Sequence, residues 1–170
     1  MLHYIDDVNA ADQAVKICRI NVNTSARNIR EMALNNDTSA YDSYEQNVKK
    51  LLTEVDSQLE ILKKTKVLPD EEYNEYASAL SDWGNIGYSI IEEIKNGEKE
   101  KAIDEIFNSC TPALNKLVEI AIRLDEITDE VSEQSARTTI IFAVAGMVCI
   151  IICLVCACTL AKVISKKVLE

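Results

Sequence analysis

An all-α fold is what this sequence predicts: an antiparallel up-down-up-down four-helix bundle whose fourth helix continues into a transmembrane helix. Three observations carry that expectation. Only four Gly and two Pro interrupt 170 residues rich in Ala, Leu, Ile, Glu and Lys. Apolar residues recur at alternating steps of three and four through four segments separated by short turn signals. Twenty-four consecutive residues, Thr138 to Ala161, carry no charge. As a helix they extend roughly 36 Å, enough to cross a hydrocarbon core of about 30 Å.

The first helix is marked by one stripe: Val8, Ala11, Val15, Cys18, Val22, Ser25, Ile29 and Met32. Asn35-Asn36-Asp37 stops it, and Thr38 or Ser39 is placed to cap the second. That second helix runs to about Lys64, with Tyr44, Val48, Leu51, Val55, Leu59 and Leu62 inward. Val67-Leu68-Pro69-Asp70 forms a turn, and Pro69 suits a helix start, where its missing N–H would have no partner anyway. Tyr73, Tyr76, Leu80, Trp83, Gly87, Ile90 and Ile94 mark the third helix, which Asn96-Gly97 ends. In the fourth, Ile103, Ile106, Cys110, Ala113, Leu117, Ile120, Leu124, Ile127 and Val131 keep the stepping without a slip. Thr111-Pro112 is its one expected irregularity, because proline removes a backbone donor and crowds the preceding turn. No turn signal separates Val131 from the uncharged run, so one helix is expected to serve both. Connections this short make sequential helices antiparallel.

Charge divides the chain into three parts. Residues 1–137 hold 15 Lys and Arg against 27 Asp and Glu, a net of −12, whereas the remainder holds three Lys and one Glu, a net of +2. Short basic flanks such as Lys162, Lys166 and Lys167 stay cytoplasmic. Residues 1–137 are therefore expected to form an extracytoplasmic body, 138–161 a transmembrane helix and 162–170 the start of a cytoplasmic linker. Arg137 opposes this orientation weakly. Such an acidic body argues against a nucleic-acid partner. Cys149, Cys153, Cys156 and Cys158 lie in the span, where Cys behaves as a small apolar residue and no His accompanies them. Cys18 and Cys110 fall at core positions, either as a disulfide or, the better reading, as two buried thiols.

One local reversal of charge stands out. Between Gln13 and Arg30 there are four basic residues, Lys16, Arg19, Arg27 and Arg30, and a single opposite charge is nowhere among them. On a helical projection Arg19, Asn23, Arg27 and Arg30 share an arc of roughly 80°, well away from the apolar stripe. The plainer account is a solvated basic face paired with acidic residues of neighbouring helices. The sharper one is an anion site, since guanidinium forks pair bidentately with carboxylates. If two copies of the first helix met along this face their arginines would converge, with Asn23 and Thr111 adding neutral donors. His3, the one histidine, is expected to be an exposed bystander; Trp83 and the tyrosines are expected to pack in the core. Asp6, Asp7, Asp125, Glu126, Asp129 and Glu130 read as solvated faces. Catalytic residues, metal ligands and cofactors: none is indicated, there being no Gly-rich phosphate loop, Ser/His/Asp set or metal-ligand spacing.

Four stretches together resemble one family. Arg19-Ile20-Asn21-Val22-Asn23-Thr24-Ser25-Ala26-Arg27 is similar to the first sensor helix of the amino-acid chemoreceptors. Ile91 to Ala102 resembles that family's turn from its third helix, and Thr111-Pro112-Ala113-Leu114-Asn115-Lys116-Leu117 the start of its signalling helix. Val163-Ile164-Ser165-Lys166-Lys167-Val168-Leu169-Glu170 resembles the beginning of a HAMP linker, where members usually show Ile-Ser followed shortly by Pro-Ile. The chain as a whole thus resembles the sensory half of a methyl-accepting chemotaxis receptor. That family carries an N-terminal transmembrane helix, and this sequence begins inside helix one, so a first span is expected to be missing. Thr24 stands where the aspartate and serine receptors carry a second arginine, and Arg27 and Arg30 are out of register with their third.

The resemblance implies a homodimeric, non-enzymatic receptor that binds a small acidic or amino-acid ligand outside the cell. Its signal would pass along the fourth helix to a cytoplasmic histidine kinase and coupling protein. Two rivals keep other functions open. The same sensor serves membrane histidine kinases and nucleotide cyclases, and a ligand-free, membrane-anchored helical bundle would show the same periodicity.

Overall fold

A computed structural model describes the backbone from Leu2 to Val168 and the side chains of residues 5–154. All regular structure among the described residues is helical: α1 (Leu2–Leu34), α2 (Tyr41–Thr65), α3 (Asp70–Lys95), α4 (Lys99–Glu105) and α5 (Thr111–Val168). Two units divide the chain, Met1–Val131 and Ser132–Glu170.

In the first unit, partners on adjacent helices descend along one chain segment as they ascend along the other. Asn28 meets Asn47 and Cys18 meets Val55 across α1 and α2; Lys95 meets Glu45 across α3 and α2. Arg19 meets Asp125 and Arg30 meets Thr111 across α1 and α5, while Arg123 of α5 holds Glu72 and Glu75 of α3. Every such pair is antiparallel, as an up-down-up-down four-helix bundle requires, α4 and α5 together forming the fourth helix.

The turns follow local chemistry. Asn35 closes α1 with its N–H on Glu31 O at 2.9 Å. A 3-10 turn, Thr38–Ala40, then intervenes, and its cap is Asp37: the carboxylate accepts from Ser39 N–H at 3.0 Å and from Ser39 Oγ at 2.6 Å. The cap of this turn is therefore Asp37, one residue before Thr38 and two before Ser39, and α2 itself starts from Ala40 without a side-chain cap. Asp reaches the free N–H groups two residues on as readily as Ser does, and its charge adds favourably to the helix dipole. Lys66 ends α2 in the left-handed region, with φ 52°. Pro69 has the extended backbone of a helix start, and Asp70, Glu71 and Glu72 fill the first turn of α3 with charge of the favoured sign. Gly97, at φ 83°, takes the position that a side chain would strain, so that Gly97 and Glu98 can donate back to Ile94 O and Glu93 O.

The core follows the sequence stripe in α1 residue for residue. Val8, Ala11, Val15, Cys18, Val22, Ser25, Ile29 and Met32 are all buried, against Val48, Val55 and Leu62 of α2 and Tyr76, Leu80, Trp83, Ile90 and Ile94 of α3. Tyr44, Leu51 and Leu59 are half-buried, and Tyr41 and Gln58 take places in the interior that the stepping did not assign. Cys18 and Cys110 are both buried free thiols.

The fourth helix departs from its expected stepping. Ile106–Cys110 is a π-helical turn, in which Thr111 donates its N–H to Ile106 O, five residues back. The Thr111 hydroxyl donates to the same carbonyl at 2.8 Å. A wider turn here answers two demands of Pro112, which lacks an N–H and crowds the carbonyl four residues before it. Because the turn takes an extra residue, buried positions fall at Ala102, Ile106, Cys110 and Leu114, four apart, rather than at Ile103 and Ala113. Further on, Thr128 is buried where Ile127 was expected to be; its hydroxyl is spent on Asp125 O at 2.8 Å.

In the second unit α5 stays helical, and its apolar side chains from Ile140 to Leu154 are exposed. The helix spanning Lys99–Leu154 is long and apolar enough to cross a membrane, by length and composition. The side chains of Cys156, Cys158, Lys162, Lys166 and Lys167, and that of His3, lie outside the described residues.

Candidate functional site

α1 brings its basic residues to one side, but the five anticipated site residues form two groups and a bystander. In the first group Arg19 donates from Nη1 to Asp125 Oδ2 of α5 at 3.0 Å, and Asn23 donates its amide to Arg19 O at 2.8 Å. In the second, Arg30 donates from Nη2 to Thr111 Oγ1 at 3.3 Å. Arg27 lies between them, its side chain 70 % exposed and only loosely paired with Glu31 at 3.7 Å. Arg19 and Arg30 border different cavities. A crevice of about 10 Å³ borders Arg19 and Asn23, and a larger one of about 120 Å³ borders Arg30.

Asp125 is the residue that sequence reading placed wrongly. It is not a solvated acid but half-buried, its side chain 22 % exposed, and its Oδ1 is buried without a hydrogen-bond partner. Burial holds its carboxyl above the usual range, outweighing the attraction of Arg19 and Lys16, and Asp12 pushes the same way. Lys16 itself is held by Asp12 one turn earlier, at 2.6 Å. The basic stretch is thus paired at its lower end and open at its upper end. Glu126, Asp129, Glu130 and Asp6 are exposed as expected, whereas Asp7, one residue before the buried Val8, is half-buried.

The apolar surroundings of Arg30 also escaped the periodicity. Leu34 is 75 % exposed and Phe107, on the outside of the π turn, 69 %. Together with Ala33, Ile103 and Ile106 they make an almost wholly apolar rim around the guanidinium. Ile20, Arg27 and Leu34 are seven apart and so share one outward face of α1. The out-of-phase Ile20 and Leu34 were the available sequence signal.

A separate ionic cluster closes the end of the bundle at the α3–α4 turn. Glu93, with only 8 % of its side chain exposed, pairs with Lys101 at 2.8 Å, and Glu105 beside it has its carboxyl raised by burial and by Glu93. Lys99 lies 5.6 Å from the Tyr41 ring centre and donates to Asn35 O at 2.5 Å, tying the two turns of that end together. Trp83 and Tyr76 are buried, as expected of core aromatics. Among the described residues no group of His, Cys, Asp and Glu is arranged to hold a metal ion.

Comparison with known proteins agrees with this architecture. Residues 4–141 match the family described as a four helix bundle sensory module for signal transduction. No curated protein and no solved structure matches the chain. The family match runs over the four-helix bundle and the first turn of the apolar run, and this chain belongs to the four-helix-bundle sensory modules of methyl-accepting chemotaxis proteins.

Proposed function

We propose that the chain is the sensory region of a chemoreceptor. On this reading residues 1–137 are extracytoplasmic, 138–161 cross the membrane and 162–170 begin a cytoplasmic HAMP-type linker. Two copies pair through the outward face of α1, where Ile20 and Leu34 supply apolar contact around Arg27. A small acidic or amino-acid ligand binds the arginines there, and α5 carries the response to a cytoplasmic histidine kinase and its coupling protein.

The observation that carries this reading is the 3.0 Å ion pair of Arg19 with Asp125. A carboxylate already sits on the arginine, and it belongs to the helix that leads to the apolar run. A ligand carboxylate taking the arginine would release Asp125, whose buried Oδ1 has nothing else to hold it. Binding would then differ in free energy between two arrangements of α1 and α5, which is all that signalling needs; such couplings amount to about 1–3 kcal/mol.

Thermal melting of the full chain in detergent, with L-aspartate, L-glutamate and succinate as probes, tests it. The melting temperature should rise with at least one of them, since a ligand of the folded form stabilises it. Arg19→Ala should abolish the rise and Asp125→Asn, by removing the competitor, should enlarge it. A melt that none of the three moves sinks the acidic-ligand reading and leaves a structural bundle.

A further inference from the structure

Away from the arginine face, α2 and α3 part to leave a cleft of about 200 Å³. At roughly 30 Å³ per liquid water, that is the bulk of roughly seven waters, room for a small organic molecule. Its wall is half apolar, from Leu52, Leu59 and Leu80, and half polar, from Asp56, Ser81, Asn85 and Tyr88. All four of these polar side chains are exposed at the mouth of the cleft, and none has a hydrogen bond or an ion pair with any described residue.

Asp56 is the only charged group on that wall. One turn away on α2 stand Leu52, Thr53, Leu59 and Glu60, and α3 offers the cleft no cation. The lysines on the same face of α2, Lys49 and Lys63, are seven residues off, roughly 10 Å along the axis and about one Debye length away. Across the gap, Tyr88 has its hydroxyl raised above the ordinary value by burial first and then by the charges of Asp56 and Glu45. Gly84 keeps the cleft open. A methyl group there would meet only Leu52 Cδ1, at an ordinary 3.8 Å, so packing does not forbid alanine, the better helix former. The body around the cleft carries a net charge of −12 over residues 1–137, which concentrates cations at its surface.

We propose that the α2–α3 cleft binds a small organic ammonium ion, its charge on Asp56, its nitrogen donating also to Asn85 and Ser81, and its hydrocarbon part against Leu52 and Leu80. The ligand would give the exposed Asp56 carboxylate a counter-charge that no described residue gives it. This site differs in helix pair and in charge from the arginine face, and it stands whether or not that face binds an acid.

The test is amide NMR of the full chain in detergent micelles, titrated with benzylamine and isoamylamine, and in parallel with benzyl alcohol and 3-methylbutanoate. Both amines should move the Ser81, Gly84 and Asn85 signals saturably at concentrations up to about 10 mM, and the neutral and anionic counterparts should not. Asp56→Asn should weaken the amines about tenfold, and Gly84→Leu or, should that variant melt early, Ser81→Leu should abolish the response. Absence of saturable shifts at these residues with either amine overturns the proposal, as does equal binding by the Asp56→Asn chain or by the uncharged alcohol.

Discussion

Cys18 shows how much one residue's surroundings can settle. Burial pushes its thiol up to about 12, helped by the charges of Glu54 and Asp56, and Cys110 is raised by burial as well. The thiolate is the reactive form. Neither cysteine should therefore react with a membrane-impermeant maleimide at pH 7.5 until urea unfolds the body, and rapid labelling of folded protein at Cys18 would contradict the packing described. The two glycines of α3 make a sharper contrast. A methyl group on Gly87 would meet Ile29 Cδ1 at 3.1 Å in a filled core, whereas Gly84 has room. Gly84→Ala should gain up to about 1 kcal/mol in urea unfolding through helix propensity. Gly87→Ala should gain less or lose, because Ile29 must move. At Asp125 the sign of the pH effect follows from its raised carboxyl. The folded chain holds that proton to higher pH than the unfolded chain, so this group's contribution to stability falls as pH rises through the interval between the two values. Asp125→Asn should flatten that part of the stability–pH curve. Asp37 runs the other way: Ser39 holds its carboxylate below the ordinary range, so its stabilisation is complete above the unfolded value and is lost as pH falls through the folded one. Of the site itself, sequence could reveal the arginines because an acid-free stretch in an acidic chain is visible locally. It could not reveal Asp125, 106 residues away from Arg19, since ion pairing between distant segments leaves no local pattern.

Helices were legible where one period governed them. In α1 every residue of the stripe is buried, because an uninterrupted helix keeps its phase for all 33 residues. The fourth helix was legible only in part. Its stripe of threes and fours ran through Thr111-Pro112, and nothing in apolar spacing says whether a proline is met by a kink or by an extra residue. The π turn is the second answer, and it explains why Ala102 and Leu114 are inside while Ile103 and Ala113 are half-buried. The capping residue was missed for a related reason: Asp37, Thr38 and Ser39 can all cap, and only backbone geometry selects among them. Of all positions in α3, Trp83 is the one on which the most packing depends, being fully buried and the largest such side chain. Trp83→Ala should cost about 3–5 kcal/mol in urea unfolding, within the range for large aromatic truncations. A loss below about 1 kcal/mol would mean that the interior is looser than described.

At the scale of the molecule, the bundle and the apolar helix present opposite kinds of surface. The first unit hides its apolar stripes from water, and the second displays Ile140, Ile141, Phe142, Met147 and Ile151 on its surface. Exposure of that many large apolar groups is stable in hydrocarbon and unstable in water. If the orientation proposed from Lys162, Lys166 and Lys167 is right, protease added to intact spheroplasts should digest residues 1–137 and spare the C-terminal tail; the reverse pattern would overturn it. The π turn sets a rule for anyone splicing this protein to a relative. Upstream and downstream halves of the fourth helix are offset by one residue, so a junction made within 102–114 without that extra residue would turn the whole downstream rod by about 100°. Grafts that carry the segment from the Gly97 turn through Pro112 as one block keep donor and host cores in phase, and those that cut inside it should melt earlier, because Leu114, Leu117 and Leu124 would turn out of the core.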